Sequence, residues 1–193
     1  STPCNPSIGG VGKGQVVREL DALGGLMGKL ADLSAIQYRT LNESKGHAVQ
    51  STRAQVDKQK YSENAERLVQ TRSNIQVIRE TVQSIRRDGD AFLVETASQC
   101  VLRAKKVVVT TGTFLNGKLH TGDEQKAGGR VDCERSVGLR DLFSEVQTLG
   151  LRFKTGTPPR LDKKSIDFSV MEPQESDPKT KNFHFMHESH KRH

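Results

Sequence analysis

An α/β fold carrying an antiparallel β-meander is what this sequence predicts, on three observations. Two stretches, 15–31 and 52–70, place apolar residues at three- and four-residue steps, the period of a helix with one buried face. From Asn74 the period drops to two, and Asp88-Gly89 separates two of the alternating runs, a dipeptide suited to a tight hairpin turn. Finally, Lys105-Lys106-Val107-Val108-Val109-Thr110-Thr111-Gly112 is a continuous β-branched run ending in glycine, the composition of a strand buried on both faces.

In chain order, residues 1–14 read as loop, because Pro3, Pro6 and the glycines that follow defeat either period. The first helix, 15–31, would bury Val16, Leu20, Leu23, Met27 and Leu30 and break at Gly24-Gly25, since each glycine costs roughly 1 kcal/mol in a helix interior. The polar, basic stretch 38–47 reads as a surface loop. The second helix, 52–70, would bury Val56, Tyr61, Ala65, Leu68 and Val69. Short β runs follow at 75–78, 81–85, 91–96, 100–104 and 106–111. A third helix is expected over 136–150, with Ser136 as N-cap and Gly150 as its end. The two prolines of 151–160 leave it extended, and residues 173–193, with Pro173, Pro178 and four histidines, read as a loop or an interrupted element.

The chain has 193 residues, enough for one domain or one and a part at roughly 100–200 residues per domain. Its 33% hydrophobic content, 5% aromatics and absent tryptophan are lean for that length, so it is expected to rest on further chain. The sequence begins three residues before Cys4, inside a loop, which reads as an internal portion of a longer protein. No run approaches the roughly 18 apolar residues of a membrane-spanning helix, which predicts no membrane association and a soluble, intracellular protein. A net charge of +7 favours an anionic partner such as RNA or a phosphorylated cofactor. On charge alone, a basic RNA-binding module without redox chemistry competes with any enzyme.

The chemistry-bearing residues gather near the start. Cys4 precedes Gly9-Gly10-Val11-Gly12-Lys13-Gly14, offering a thiol, backbone amides and a cation in one turn-rich segment. This is not a P-loop, because Ser7 stands where its first glycine belongs and Gly14 where its magnesium-binding hydroxyl belongs. Cys4 reads either as a nucleophile activated by Lys13 or a helix N-terminus, or as a small buried apolar residue. Thr110, Thr111 and Gly112 either lie near a ligand at a strand's carboxyl end or form an ordinary turn. Cys4, Cys100 and Cys133 lack zinc-like spacing, and His184, His187, His190 and His193 lack an acidic or thiol partner in their spacing, so no metal is assigned. Arg39, Lys45, Arg53, Lys58, Lys154, Arg160, Lys163 and Lys164 are cations that either contact phosphates or stay solvated.

Six ordered segments resemble the GidA/MnmG family of FAD-dependent tRNA-modifying enzymes: Cys4-Asn5-Pro6-Ser7-Ile8-Gly9-Gly10-Val11-Gly12-Lys13-Gly14, Glu19-Leu20-Asp21-Ala22-Leu23-Gly24-Gly25-Leu26-Met27, Arg53-Ala54-Gln55-Val56-Asp57, Thr111-Gly112-Thr113-Phe114-Leu115-Asn116-Gly117-Lys118, Gly128-Gly129-Arg130 and Lys154-Thr155-Gly156-Thr157-Pro158-Pro159-Arg160. The resemblance implies a partial FAD-binding, Rossmann-like domain of the two-dinucleotide-binding flavoprotein type over 1–150, lacking its N-terminal GxGxxG unit. An inserted NAD-linked subdomain would start at 151–193.

The activity implied is formation of 5-carboxymethylaminomethyluridine at the tRNA wobble position, together with an MnmE-type GTPase, with FAD as cofactor and NAD(P)H and methylenetetrahydrofolate as co-substrates. A homodimer is implied as well, in the bacterial cytoplasm or, for a eukaryotic relative, in mitochondria. Carried over by position, Cys4 is the catalytic thiol. Gly9, Gly10, Gly12, Lys13, Val82, Thr111, Gly112 and Ser136 are the cofactor-binding residues. Histidine at position 47, where the family pattern leads one to expect proline, departs from it.

Overall fold

The computed structural model describes residues 6–129, 139, 143, 147, 149, 151–156, 159 and 161–186. It divides into two units, one joining 1–76 with 155–193 and the other spanning 77–154. The boundary expected at 150 falls four residues short of that division, and the stretch from 155 onward folds with the amino-terminal residues.

The first unit runs β1 (Ser7–Gly9), α1 (Lys13–Ala22), α2 (Leu26–Ser34), β2 (Ala35–Leu41), β3 (Ser51–Val56) and α3 (Lys58–Gln70). β3 is the centre of an antiparallel sheet ordered β1-β3-β2, with Ile8 and Tyr38 both opposite Ala54. Side chains of residues directly opposite share a face. That row therefore turns inward together, and with Val17, Ala31, Val56 and Phe183 it forms the core, against which Met27, Ala35 and Tyr61 pack.

Several expectations are corrected here. Residues 7–9 are an edge strand, not loop. Residues 35–41 are a strand, because Tyr38 enters the core while its neighbours Gln37 and Arg39 occupy the opposite face, so polar composition did not mean loop. The expected helix over 52–70 is a strand followed by a helix. Asp57 separates them, since its carboxylate accepts from the Gln59 and Lys60 amides, each at 2.9 Å, and so starts α3. Within α3, Tyr61, Ala65, Leu68 and Val69 are half-buried, as their spacing foretold.

The break at Gly24-Gly25 is present. Gly24 takes φ +83° and donates to the Asp21 carbonyl while Gly25 donates to that of Leu20, the paired bonds of a Schellman ending. The buried face of α1, however, is Gly14, Val17 and Asp21, and Leu23 is 86% exposed, with Val16 and Leu20 also exposed. Gly14 sets that rotation: any side chain on it would run into the Ser51 hydroxyl and the Thr52 carbonyl, so only this face of α1 approaches β3 closely.

The carboxyl-terminal stretch, expected to be a loop or an interrupted element, closes the core. After short 3-10 turns at Lys163–Ser165 and Phe168–Val170, residues 174–180 bond to β2 and residues 181–185 to α1 and α2. The Gln37 side-chain amide donates to the Gln174 carbonyl at 2.5 Å, the Tyr38 amide to the Ser176 hydroxyl at 2.8 Å, and the Asp177 amide to the Tyr38 carbonyl at 2.9 Å. Phe183 is completely buried, and the Arg18 guanidinium lies 5.6 Å from its ring centre. One aromatic ring and a series of side-chain-to-backbone bonds leave no hydrophobic period, which is why the segment looked structureless.

The second unit contains the expected meander: β4 (Val82–Asp88), β5 (Ala91–Thr96) and β6 (Val101–Ala104), antiparallel in that order. Asp88 pairs with Ala91, so the turn residues are Gly89 and Asp90, with Gly89 at φ +58°. A further hairpin, β7 (Lys118–Thr121) with β8 (Glu124–Ala127), was not foreseen, because its four-residue arms are polar and exposed. The run 75–78 is exposed and forms no strand. Nor does 106–111: no described strand bonds to it and Val108 is 85% exposed, so the β-branched run lacks here the neighbours that burial on both faces requires. The helix expected at 136–150 lies outside the described residues except at isolated positions.

Candidate functional site

The turn at 9–14 connects β1 to α1, and the protein's own backbone dictates its shape. Gly9, Gly10 and Gly12 have φ of +90°, +95° and +76°. A Cβ on Gly9 would strike the Thr52 carbonyl and lie 2.6 Å from the Phe183 ring, so glycine there is required by both conformation and space. The Gly10 amide donates to the Thr52 carbonyl at 2.9 Å, and its own carbonyl accepts from the Gly14 amide at 2.7 Å and the Ser51 hydroxyl at 2.5 Å. The turn is thus tied to β3 from both sides.

What remains free faces outward. Among the described residues, the amides of Val11, Gly12 and Lys13 have no acceptor, α1 has no side-chain N-cap, and Lys13 is exposed. Unsatisfied amides and a cation at a helix start favour electron-rich or anionic groups. Gly12 faces open space, so a planar group can approach the backbone there.

Gly9, Gly10, Gly12 and Lys13 are thereby brought together in the first unit. Val82, Thr111 and Gly112 belong to the second. Val82 opens β4 opposite Thr96, while Thr111 accepts from the Phe114 amide at 3.1 Å ahead of Gly112 at φ +58°. The segments 111–118 and 128–129 meet at the neck of the β7–β8 hairpin, where the Thr113 hydroxyl donates to the Gly129 carbonyl at 2.9 Å and the Gly128 amide to that of Gly117 at 3.2 Å. Cys4, Cys133 and Ser136 lie outside the described residues. Among those described, no cluster of metal-ligating side chains occurs.

Two aspartates behind the turn were not singled out from the sequence. Asp32 is buried and accepts from the Tyr38 hydroxyl at 2.6 Å, the Phe183 amide at 3.0 Å and the His184 amide at 2.7 Å. Asp21, with its side chain 1% exposed, accepts from the Phe185 amide at 2.9 Å and faces His184 Nδ1 at 2.7 Å. They hold Phe183 beneath Gly9. Buried acids on two amphipathic helices, at positions the helical period assigns no partner, were the only signal of them in the sequence.

A further tie at this segment titrates. The Thr180 hydroxyl, donating at 2.5 Å, and then the Lys179 amide at 2.9 Å, hold the Asp177 carboxyl below its ordinary value. Because the folded-state pKa is depressed, the stabilisation is complete above the unfolded-state value near ~4 and is lost as pH falls through the folded-state pKa. Hydrogen exchange of the Lys179 and Thr180 amides, followed from pH 5 downward with intrinsic rates corrected, is expected to lose protection only below about pH 4. Constant protection to pH 2 would show that the carboxylate contributes nothing.

The comparisons with known proteins agree with one another. The family model described as glucose inhibited division protein A matches residues 1–193. The tRNA uridine 5-carboxymethylaminomethyl modification enzyme MnmG of Aquifex aeolicus (strain VF5) is 46% identical over 183 residues, covering 94% of this chain and 30% of that protein. Two crystal forms of Aquifex aeolicus GidA superpose with TM-scores of 0.86 and 0.87 at 46% identity, covering 97% of this chain and 31% of theirs. The chain therefore spans under a third of the length of these relatives. With every residue inside the family model and the same backbone course in the solved relatives, the chain belongs to the glucose inhibited division protein A family.

Proposed function

We propose that this chain forms part of a flavin-dependent enzyme that modifies C5 of the wobble uridine in tRNA, installing a carboxymethylaminomethyl group. The observation that carries the reading is the 46% identity, across 94% of the chain, to a relative named for that modification. The turn at 9–14 is chemically suited to it, since its outward amides and the Lys13 ammonium match the electron-rich carbonyl edge of an isoalloxazine or uracil ring. Gly9, Gly10, Gly12 and Lys13 would hold that edge, and Val82, Thr111, Gly112 and Ser136 would contribute further cofactor contacts in an FAD-binding, Rossmann-like domain. When bound, the flavin supplies two-electron transfer and one-carbon delivery, while the protein orients the reactants. NAD(P)H and methylenetetrahydrofolate are the proposed co-substrates, and an MnmE-type GTPase and a second copy of the protein the proposed partners.

Cys4 is proposed to act at the uracil ring as nucleophile or acid/base. The test is Cys4→Ser in the full-length protein, with flavin binding verified by its visible absorption. Wobble-uridine modification is expected to fall at least ~100-fold, the lower range for loss of a positioned proton-transfer group, with the flavin spectrum retained. Unchanged turnover would remove Cys4 from the mechanism, and a wild-type protein that takes up no flavin would overturn the enzyme reading itself.

A further inference from the structure

The sheet of the first unit has a second face. Arg39 on β2 lies directly opposite Arg53 on β3, and Arg53 lies opposite Gly9 on β1, so the three form one row across the sheet, turned away from the Ile8–Ala54–Tyr38 row of the core. Like charges directly opposite one another in an antiparallel pair are destabilising. Among the described residues nothing relieves the repulsion: neither guanidinium has a carboxylate within ion-pair distance there, Arg39 donates to the neutral side chain of Gln174 at 2.9 Å, and Arg53 has no described partner.

The surroundings favour an oxyanion. The adjoining row on that face is Ser7, Gln55 and Gln37, all neutral. Beyond Arg53 the row reaches Gly9 and the turn that follows it, where the amides of Val11, Gly12 and Lys13 have no acceptor among the described residues. Towards the other end, an open hollow of about 620 Å³ is lined by Arg39, Thr40, Leu41, Asn42, Glu43 and Ser44. Planar guanidinium groups bind phosphate oxygens bidentately, and residues in register on neighbouring strands share a face, so one phosphate can be reached by both cations.

We propose that Arg39 and Arg53 form a paired-guanidinium clamp for a phosphate group, and that the phosphate belongs to the RNA backbone beside the uridine presented to the turn at 9–13. The assignment to RNA rests on the function proposed above; the alternative source of the same chemistry is the pyrophosphate of a dinucleotide cofactor. A phosphate bound between them would offset the repulsion of the two opposed cations.

The test uses the full-length protein with Arg39→Gln, Arg53→Gln and Arg53→Lys. An anticodon stem-loop RNA with uridine at the wobble position is titrated by fluorescence anisotropy at several salt concentrations, and FAD by absorption. Each glutamine variant is expected to weaken RNA binding about 10-fold and to reduce the slope of log affinity against log salt by about 1. Arg53→Lys, which keeps the charge and loses the fork, should fall between. The melting temperature of the unliganded variants should be unchanged or raised.

If instead FAD affinity falls and RNA binding holds, the clamp stands with the dinucleotide as its source. Variants that melt as wild type and bind both ligands normally would overturn it, as would variants whose unliganded form melts markedly lower, which would make the pair structural. Should the wild type neither hold flavin nor modify uridine, yet gain thermal stability from inorganic pyrophosphate that Arg53→Gln does not gain, the enzyme reading fails and the clamp survives.

Discussion

Replacing Phe183 with alanine is expected to destabilise the first unit by about 3–5 kcal/mol, the range for deleting a fully buried aromatic ring. The ring is the largest completely buried side chain among the described residues, and it packs with Ile8, Val17, Tyr38, Ala54 and Val56. Little can collapse into the space, because the surrounding atoms are β1, β3 and the two helix faces that already touch one another. The loss should also reach the turn, since the ring lies beneath Gly9. Urea unfolding measures the first effect, and hydrogen exchange of the Gly10 amide, which bonds to Thr52, measures the second. A loss under 1 kcal/mol, with the Gly10 amide still protected, would show that residues 174–185 are a dispensable strap.

Asp32→Ala is expected to be comparably severe for a different reason. It would remove at once the carboxylate that accepts from the Tyr38 hydroxyl and from the Phe183 and His184 amides, the first two of these bonds being buried. A buried donor that loses its acceptor costs about 1–3 kcal/mol. Asp32→Asn retains a single acceptor oxygen and presents an amino group to donors, so it should recover only part of the loss. Because Asp32 and Phe183 both act through the docked segment, the double substitution should cost clearly less than the two single effects combined. Strict additivity in urea unfolding would mean that the carboxylate and the ring stabilise independent parts of the molecule.

The same residues show why the fold was only partly legible. The Gly24-Gly25 break, the Asp88-Gly89 hairpin and the half-buried stripe of α3 were readable because turn chemistry and helical period act between neighbours in sequence. β2 and β3 were misread because their rows alternate between a core face and a face carrying Arg39, Arg53, Gln37 and Gln55, and a half-polar strand of six or seven residues resembles a loop or a helix edge. The inward face of α1 was misread because a glycine and an aspartate occupy it. Neither registers as hydrophobic, yet Gly14 permits close approach and Asp21 is satisfied by partners more than 160 residues away.

By itself the sequence determined the family resemblance, the helix boundary at Gly24, the meander and the glycine-rich turn beside a lysine, all of which rest on residue identity over a few positions. Only the tertiary structure decided that 174–185 return to the first unit, that Phe183 sits under Gly9, that two aspartates anchor that return through backbone amides, and that Arg39 stands opposite Arg53. Those pairings join residues far apart in the chain. Their free energy comes from burial and from hydrogen bonds to main-chain groups, which every residue type carries alike, so no local pattern in the sequence announces them.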